Sequence, residues 1–192
     1  MTKEELRKIY LQKRRSLSSA EYEQLSAEVC ENFFNHVDLS SIEFLHIFIP
    51  IEKNKEPNTW FIIDRLQKRF PEINVVVPRV NHQTEEMENF IFEGKDQLQM
   101  NTWEIPEPKE GKEVKAEQIE MVLIPLVTFD HLGHRVGYGK GFYDKLLGKC
   151  KPDCKRIGLS LFEPVEKIDD INPHDKKLQS CITPIKVSNF EP

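Results

Sequence analysis

Two short stretches limit the fold of this chain more than any other feature: residues 75–77 and 121–127 are apolar at almost every position. A strand with one wet face alternates apolar and polar side chains. A strand apolar throughout must be covered on both faces, as in parallel sheets flanked by helices. Residues 43–49 and 156–161 have the same strand character. The intervening segments supply the covers. Thr2 with Glu5, and Ser18 with Glu21, have capping-box spacing. The first helix is expected to end near Leu17, and the second carries Tyr22, Leu25, Val29 and Phe33 on one stripe. The stretch NTWFIIDRLQKRF, with a cap at Asn58 or Thr59, reads as a further amphipathic helix. Strand, helix and strand alternate, so the expected class is α/β: a three-layer α/β/α sandwich with a largely parallel central sheet. Residues 87–92 read as an added edge strand and residues 101–115 as a long surface loop.

No repeat, low-complexity tract or linker divides the 192 residues, which read as a single domain spanning 1–192. A net charge of -5 opposes general binding to nucleic-acid phosphates but leaves room for a local basic pocket. The N-terminal segment is charged throughout and no apolar run has bilayer length, so a cytoplasmic location without a membrane partner is expected. Four cysteines read as reduced thiols; Cys150 and Cys154 lack the neighbouring ligand cluster that zinc requires. The chain is read as a monomer acting on small molecules.

Half of the eight glycines fall within one segment, GHRVGYGKGFYDKLL, at positions 133, 137, 139 and 141. It follows the most apolar strand and precedes a helix containing Phe142, Tyr143, Leu146 and Leu147. In open α/β sheets ligands sit at the carboxyl ends of strands, where a following helix offers unpaired N–H groups and the positive end of its dipole. Alternating glycines remove the Cβ atoms that hold a phosphate away from the backbone, and they permit a concave array of N–H groups. Arg135 and Lys140 add charge. A Walker loop would need glycine at His134 and Ser or Thr at Gly141; the dinucleotide fingerprint fails because its third glycine comes one residue early. Asp144 is placed to hold magnesium against bound phosphates, or to stabilise a helix N-terminus.

The segment IPLVTFDHLGHRVGYGKGFYD, residues 124–144, resembles the signature of the 5-formyltetrahydrofolate cyclo-ligases, also called methenyltetrahydrofolate synthetases. A Phe-Asp pair, a Gly, an Arg and alternating glycines lead into an aromatic pair and Asp. Weaker similarity runs through Lys3 to Arg7, Glu56 through Thr59, WEIPEP from Trp103 and NPHDKKL from Asn172. The resemblance implies an enzyme with a three-layer α/β/α fold. It would use ATP and magnesium to convert 5-formyltetrahydrofolate into 5,10-methenyltetrahydrofolate, through a phosphorylated formyl group, releasing ADP and phosphate. It implies ATP contacts at Lys3, Arg7, Arg135, Val136, Gly137, Tyr138, Gly139, Lys140, Gly141, Phe142 and Tyr143. Lys140 and Arg135 would be catalytic, stabilising the transferring phosphoryl group. Asp144 and Asp175 would hold magnesium. Ile51, Glu56, Trp103, Tyr138 and Phe142 would contact the folate.

Two positions depart from the family pattern. Phe142 stands where many members have tyrosine, and Tyr138 where some have arginine. Arg79, Lys109 and Lys112 are candidates for a polyglutamate tail. A different small-molecule phosphoryl-transfer enzyme, or a non-catalytic folate or nucleotide sensor, would share the same cradle.

Overall fold

The computed structural model describes residues 1–102 and 104–190. Its helices are α1 (Lys3–Ser16), α2 (Ser19–His36), α3 (Trp60–Arg69) and α4 (Phe142–Lys149). Its strands are β1 (Phe44–Ile47), β2 (Asn74–Asn81), β3 (Glu86–Ile91), β4 (Leu98–Met100), β5 (Pro106–Pro108), β6 (Met121–Pro125), β7 (Thr128–Phe129), β8 (Arg135–Val136), β9 (Lys155–Leu159), β10 (Ser180–Ile182) and β11 (Val187–Asn189). Seven of them form one sheet in the order β11-β10-β9-β6-β1-β2-β3. Pairing is parallel from β10 through β2 and antiparallel at both edges. The expected α/β/α sandwich with a largely parallel sheet is what forms.

The all-apolar runs divide their side chains between the two faces. Leu45, Ile47, Val75, Val77, Met121 and Leu123 pack with Val29 and Phe33 of α2 and with Ile62, Ile63 and Leu66 of α3. Val76, Val122 and Ile124, one residue out of phase, pack with Leu146 and Leu147 of α4. Each such buried aliphatic side chain contributes about 1.5–3 kcal/mol, which is why the strands carry no polar alternation. His46 breaks the rule. It is fully buried in β1 with its ring edge-on to Tyr143, centroids 5.8 Å apart, and desolvation pushes its pKa down from 6.5 to about 3.

Both expected capping boxes form, so α1 and α2 begin where Thr2 and Ser18 dictate. At α3 the cap is different: the Thr59 hydroxyl donates to Phe48 O at 2.7 Å, and Asn58 Oδ1 accepts from Trp60 N at 3.3 Å. The strand expected over 121–127 leaves the sheet after Pro125, because Val127 N pairs with Val136 O and opens a β7–β8 hairpin. Residues 101–115 are not a plain loop: β5 pairs back on β4, and Val114 is buried. The short strands β10 and β11 were not anticipated. Among the described residues no helix is long and apolar enough to cross a membrane.

Candidate active site

The turn that carries the β7–β8 hairpin is organised by the buried Asp130. Its Oδ1 accepts from Leu132 N and His134 N, both at 3.0 Å. Gly133 belongs to this turn. Its φ is +81° and an added Cβ would lie 2.8 Å from the Phe190 ring, so it serves close packing rather than the loop that follows. The cradle is therefore residues 137–141. Gly139 and Gly141 have φ of +91° and +71°, conformations that favour glycine, whereas Gly137 does not need one. Gly141 is the N-cap of α4. From Gly139 to Asp144 the main-chain N–H groups donate to no acceptor among the described residues. They form, with the α4 dipole, an anion-binding concavity.

Cations surround it from two directions. Arg7 of α1 donates from Nε to Gly137 O at 2.9 Å, and its guanidinium would lie 3.6 Å from a Cβ on Gly139. Lys140 is exposed and makes no ion pair among the described residues. Arg135, buried in β8, donates to Asp144 Oδ1 at 2.8 Å and to Lys176 O. Lys3 pairs with Asp175. Burial alone would raise the Asp175 carboxyl; hydrogen bonds from Lys3 and Asn172 N outweigh it and hold that pKa below the usual range.

The chain brings the two expected metal carboxylates to one place. Asp144 Oδ1 also accepts from Lys176 N at 2.9 Å, and Lys176 directly follows Asp175. Among the described residues no group of three or more His, Cys, Asp or Glu gathers. Two hard oxygen donors beside a concavity of unpaired N–H groups nevertheless fit magnesium, which takes one or two protein carboxylates and completes its shell with other oxygens and water.

The cradle opens into a cleft of about 790 Å³, within the range of small-molecule sites. Its far wall is apolar: Phe48, Ile51, Pro78, Val80, Met87 and Ile105. Glu56 lies in the cleft, 3% exposed, with Oε2 accepting from Ile51 N at 2.7 Å. Burial pushes the Glu56 carboxyl up, and Tyr138, the Ile51 N–H and Arg14 only partly offset it. Phe142 and Tyr143 stand where cradle and cleft meet; the Tyr143 hydroxyl is buried, with no partner among the described residues.

The sequence matches the 5-formyltetrahydrofolate cyclo-ligase family over residues 1–184. The chain belongs to that family. It is 32% identical over 161 residues to a 5-formyltetrahydrofolate cyclo-ligase of Mycoplasma pneumoniae, covering 83% of this chain and 85% of the relative. It is 26% identical over 185 residues to the mouse 5-formyltetrahydrofolate cyclo-ligase, covering 89% and 88%. The solved structure of 5,10-methenyltetrahydrofolate synthetase from Aquifex aeolicus superposes with a TM-score of 0.84 at 27% identity, covering 100% of this chain and 94% of that one. This cyclo-ligase is accordingly an enzyme, of the ligase class.

Of the described residues expected to contact ATP, folate or metal, all but one line the cleft. Val136 does not: it is fully buried against Leu6, Val127 and Ile168, where a strand residue facing the core must sit. Trp103 lies outside the described residues. Arg79 pairs with Glu88 at 2.8 Å and Lys109 O at 2.6 Å and lies over the face of Phe90. The residue that sequence reasoning missed is Arg14 of α1, fully buried behind Tyr138. Within a Lys-Arg-Arg run it looks like surface; its period with Lys3 and Arg7 on one helix face was the available signal.

Proposed function

We propose that this cyclo-ligase converts 5-formyltetrahydrofolate to 5,10-methenyltetrahydrofolate at the expense of ATP, in the cytoplasm and as a single domain. One observation carries the reading. A cradle of unpaired N–H groups and a buried carboxylate above an apolar wall share one cleft, so a triphosphate and a folate can meet within it.

The chemistry needs that meeting. A formamide oxygen is a poor leaving group. In the proposed first step it attacks the γ-phosphorus of ATP, forming a new P–O bond while ADP departs. Nitrogen 10 then adds to the activated formyl carbon and loses its proton, and phosphate leaves with the C–O bond pair, closing the ring. Phosphoryl transfer asks the protein mainly for position and charge neutralisation. The N–H groups of residues 139–144 would bind the phosphates, with Arg7 locking the loop through Gly137 O. Lys140, unpaired, would follow the transferring group; Arg135 would orient Asp144 and add fixed charge beside it. Asp144 and Asp175 would hold magnesium, which supplies charge neutralisation at the phosphates. Glu56 would accept the pterin N–H groups, with Ile51, Tyr138 and Phe142 forming the walls around the ring.

The test is direct: protein, ATP, magnesium and 5-formyltetrahydrofolate are mixed, and the near-ultraviolet band of the methenyl product is followed. Its appearance with stoichiometric ADP supports the reading. ATP turnover on other acceptors without that band would favour a kinase, and binding without turnover a sensor.

A further inference from the structure

Asp144 sits in α4, whereas Asp175 sits in a segment without regular structure between β9 and β10. That segment meets the turn of the β7–β8 hairpin twice. Ile168 N donates to Asp130 Oδ2 at 3.2 Å, and Leu178 N donates to Gly133 O at 2.9 Å. Residues 168–178 thus form a loop with both ends fixed on one turn. The loop brings Asp175 to Lys3 and Lys176 N to Asp144 Oδ1, and its Asp170 accepts from Lys3 N at 2.6 Å. The Asp130 side chain has no solvent exposure, and its carboxylate serves the turn and the loop at once. Oδ1 takes Leu132 N and His134 N; Oδ2 takes Ile168 N and lies 3.1 Å from His134 Nδ1. The backbone of the turn is closed by Oδ1. What Oδ2 adds, beyond the His134 ring, is the loop.

We propose that Asp130 is a positioning residue for the metal site: by holding Ile168 and shaping the turn that presents Gly133 O, it fixes the loop 168–178 and so the place of Asp175 beside Asp144. The proposal rests on the reading of Asp144 and Asp175 as magnesium ligands. Magnesium demands near-ideal octahedral geometry, so a carboxylate on irregular chain must be held as firmly as one on a helix. Untied, such a loop samples many conformations, and ordering it on metal binding costs affinity. Ile168 is fully buried against Leu6 and Val136, so the tie is made at a rigid end of the loop. Asp130 does not line the cleft, so it acts only through the chain it holds.

Asp130→Asn is the selective probe. Its remaining oxygen can keep Leu132 N and His134 N, and a neutral His134 can accept from the new amide through Nδ1, but the Ile168 N–H then faces a donor. The readouts are amide hydrogen exchange in the free protein, Kd for magnesium-ATP by calorimetry, and a double-mutant cycle with Asp175→Asn. In Asp130→Asn the Ile168 and Lys176 amides should exchange about tenfold faster, while those of Leu132 and His134 stay within about threefold. Magnesium-ATP affinity should fall about tenfold, the scale of one lost hydrogen bond to a charged group. The double variant should bind magnesium-ATP no worse than Asp175→Asn alone, because the tie then has nothing left to position. Losses that multiply would make Asp130 a general structural residue and overturn the proposal. Faster exchange at Ile168 with Lys176 and magnesium-ATP affinity unchanged would do the same. Should Asp130→Asn not fold, the wild type carries the test: coupling is reciprocal, so magnesium-ATP should slow exchange at Ile168 along with Lys176. Protection of Lys176 alone would overturn the proposal. An Asp175→Asn variant that binds magnesium-ATP as tightly as wild type would overturn the metal reading itself and the proposal with it; the other failures leave that reading standing.

Discussion

Replacing Gly139 by alanine separates a phosphate cradle from an inert bend. At φ of +91° the residue occupies a region that costs an L-amino acid about 1–2 kcal/mol. Crowding adds little, since the nearest atom to the new Cβ is the Arg7 guanidinium at 3.6 Å. The loop is exposed, so its cheapest response is to rotate residue 139 to negative φ. That rotation turns the adjoining N–H groups out of the concavity. Losing one hydrogen bond to a charged phosphate removes about 1.5–3 kcal/mol, or roughly ten- to a hundredfold in ATP affinity. Thermal stability should fall by less than the strain itself. Gly137→Ala is the control: that glycine has no positive φ and open space around its would-be Cβ, so the melting temperature should not move. Any ATP loss there reports direct occlusion by the methyl group. The assay is calorimetric titration with magnesium-ATP, with a melting curve for each variant. If Gly139→Ala melts earlier yet binds ATP as wild type does, the segment is a structural turn and the nucleotide reading fails.

Asp144→Asn keeps an acceptor for Arg135 and Lys176 N but drops the charge; ring closure should fall by at least about tenfold and require more magnesium, read from rate against magnesium concentration. Asp144→Ala should do the same and also cost about 1–3 kcal/mol of stability, because Arg135, with only 6% of its side chain exposed, loses its carboxylate. Lys140→Met should lower kcat about a hundredfold with folate affinity unchanged, since the ammonium would act on transferring charge; an unchanged kcat would remove it from the chemistry. Folding stability should depend on His46. Its folded pKa is about 3 against 6.5 unfolded, so below 6.5 the unfolded chain takes up a proton that the folded one refuses. Stability is therefore lost as pH falls from 6.5 toward 3, by up to about 1.4 kcal/mol per pH unit, and urea midpoints of His46→Leu should show a shallower slope.

The layers of this fold were legible because each depends on a local signal. Capping boxes set the starts of α1 and α2, and strands apolar on both faces demanded helices on both sides. The hairpin β7–β8 and the strands β10 and β11 were not legible, being two or three residues each and defined by partners distant in sequence. The cradle was half readable. Four close glycines announced a loop but not a division of labour, and only the approach of Phe190 shows that Gly133 answers to packing.

The helix α1 shows why site residues hide in plain composition. Its buried residues are only Leu6 and Arg14, too little apolar area to hold a fourteen-residue helix by burial alone. To the packing of Leu6, Tyr10 and Leu11 on Val127, Val136 and Ile168 it adds cations that reach backward into the molecule: Lys3 to Asp175, Arg7 to Gly137 O, and Arg14 to Leu126 O and Tyr138. Residues 3, 7 and 14 lie within about 40° of one another around the helix axis at 3.6 residues per turn. A sequence scan scores that stripe as solvated surface, because Lys and Arg almost always are. Here the partners are a carboxylate, a loop carbonyl and a half-buried tyrosine of the same cleft, so these contacts of α1 also organise the site. Weakening any one should therefore loosen helix and cradle together, a coupling that double-mutant cycles between Arg7 and Arg14 would measure as non-additivity in ATP affinity.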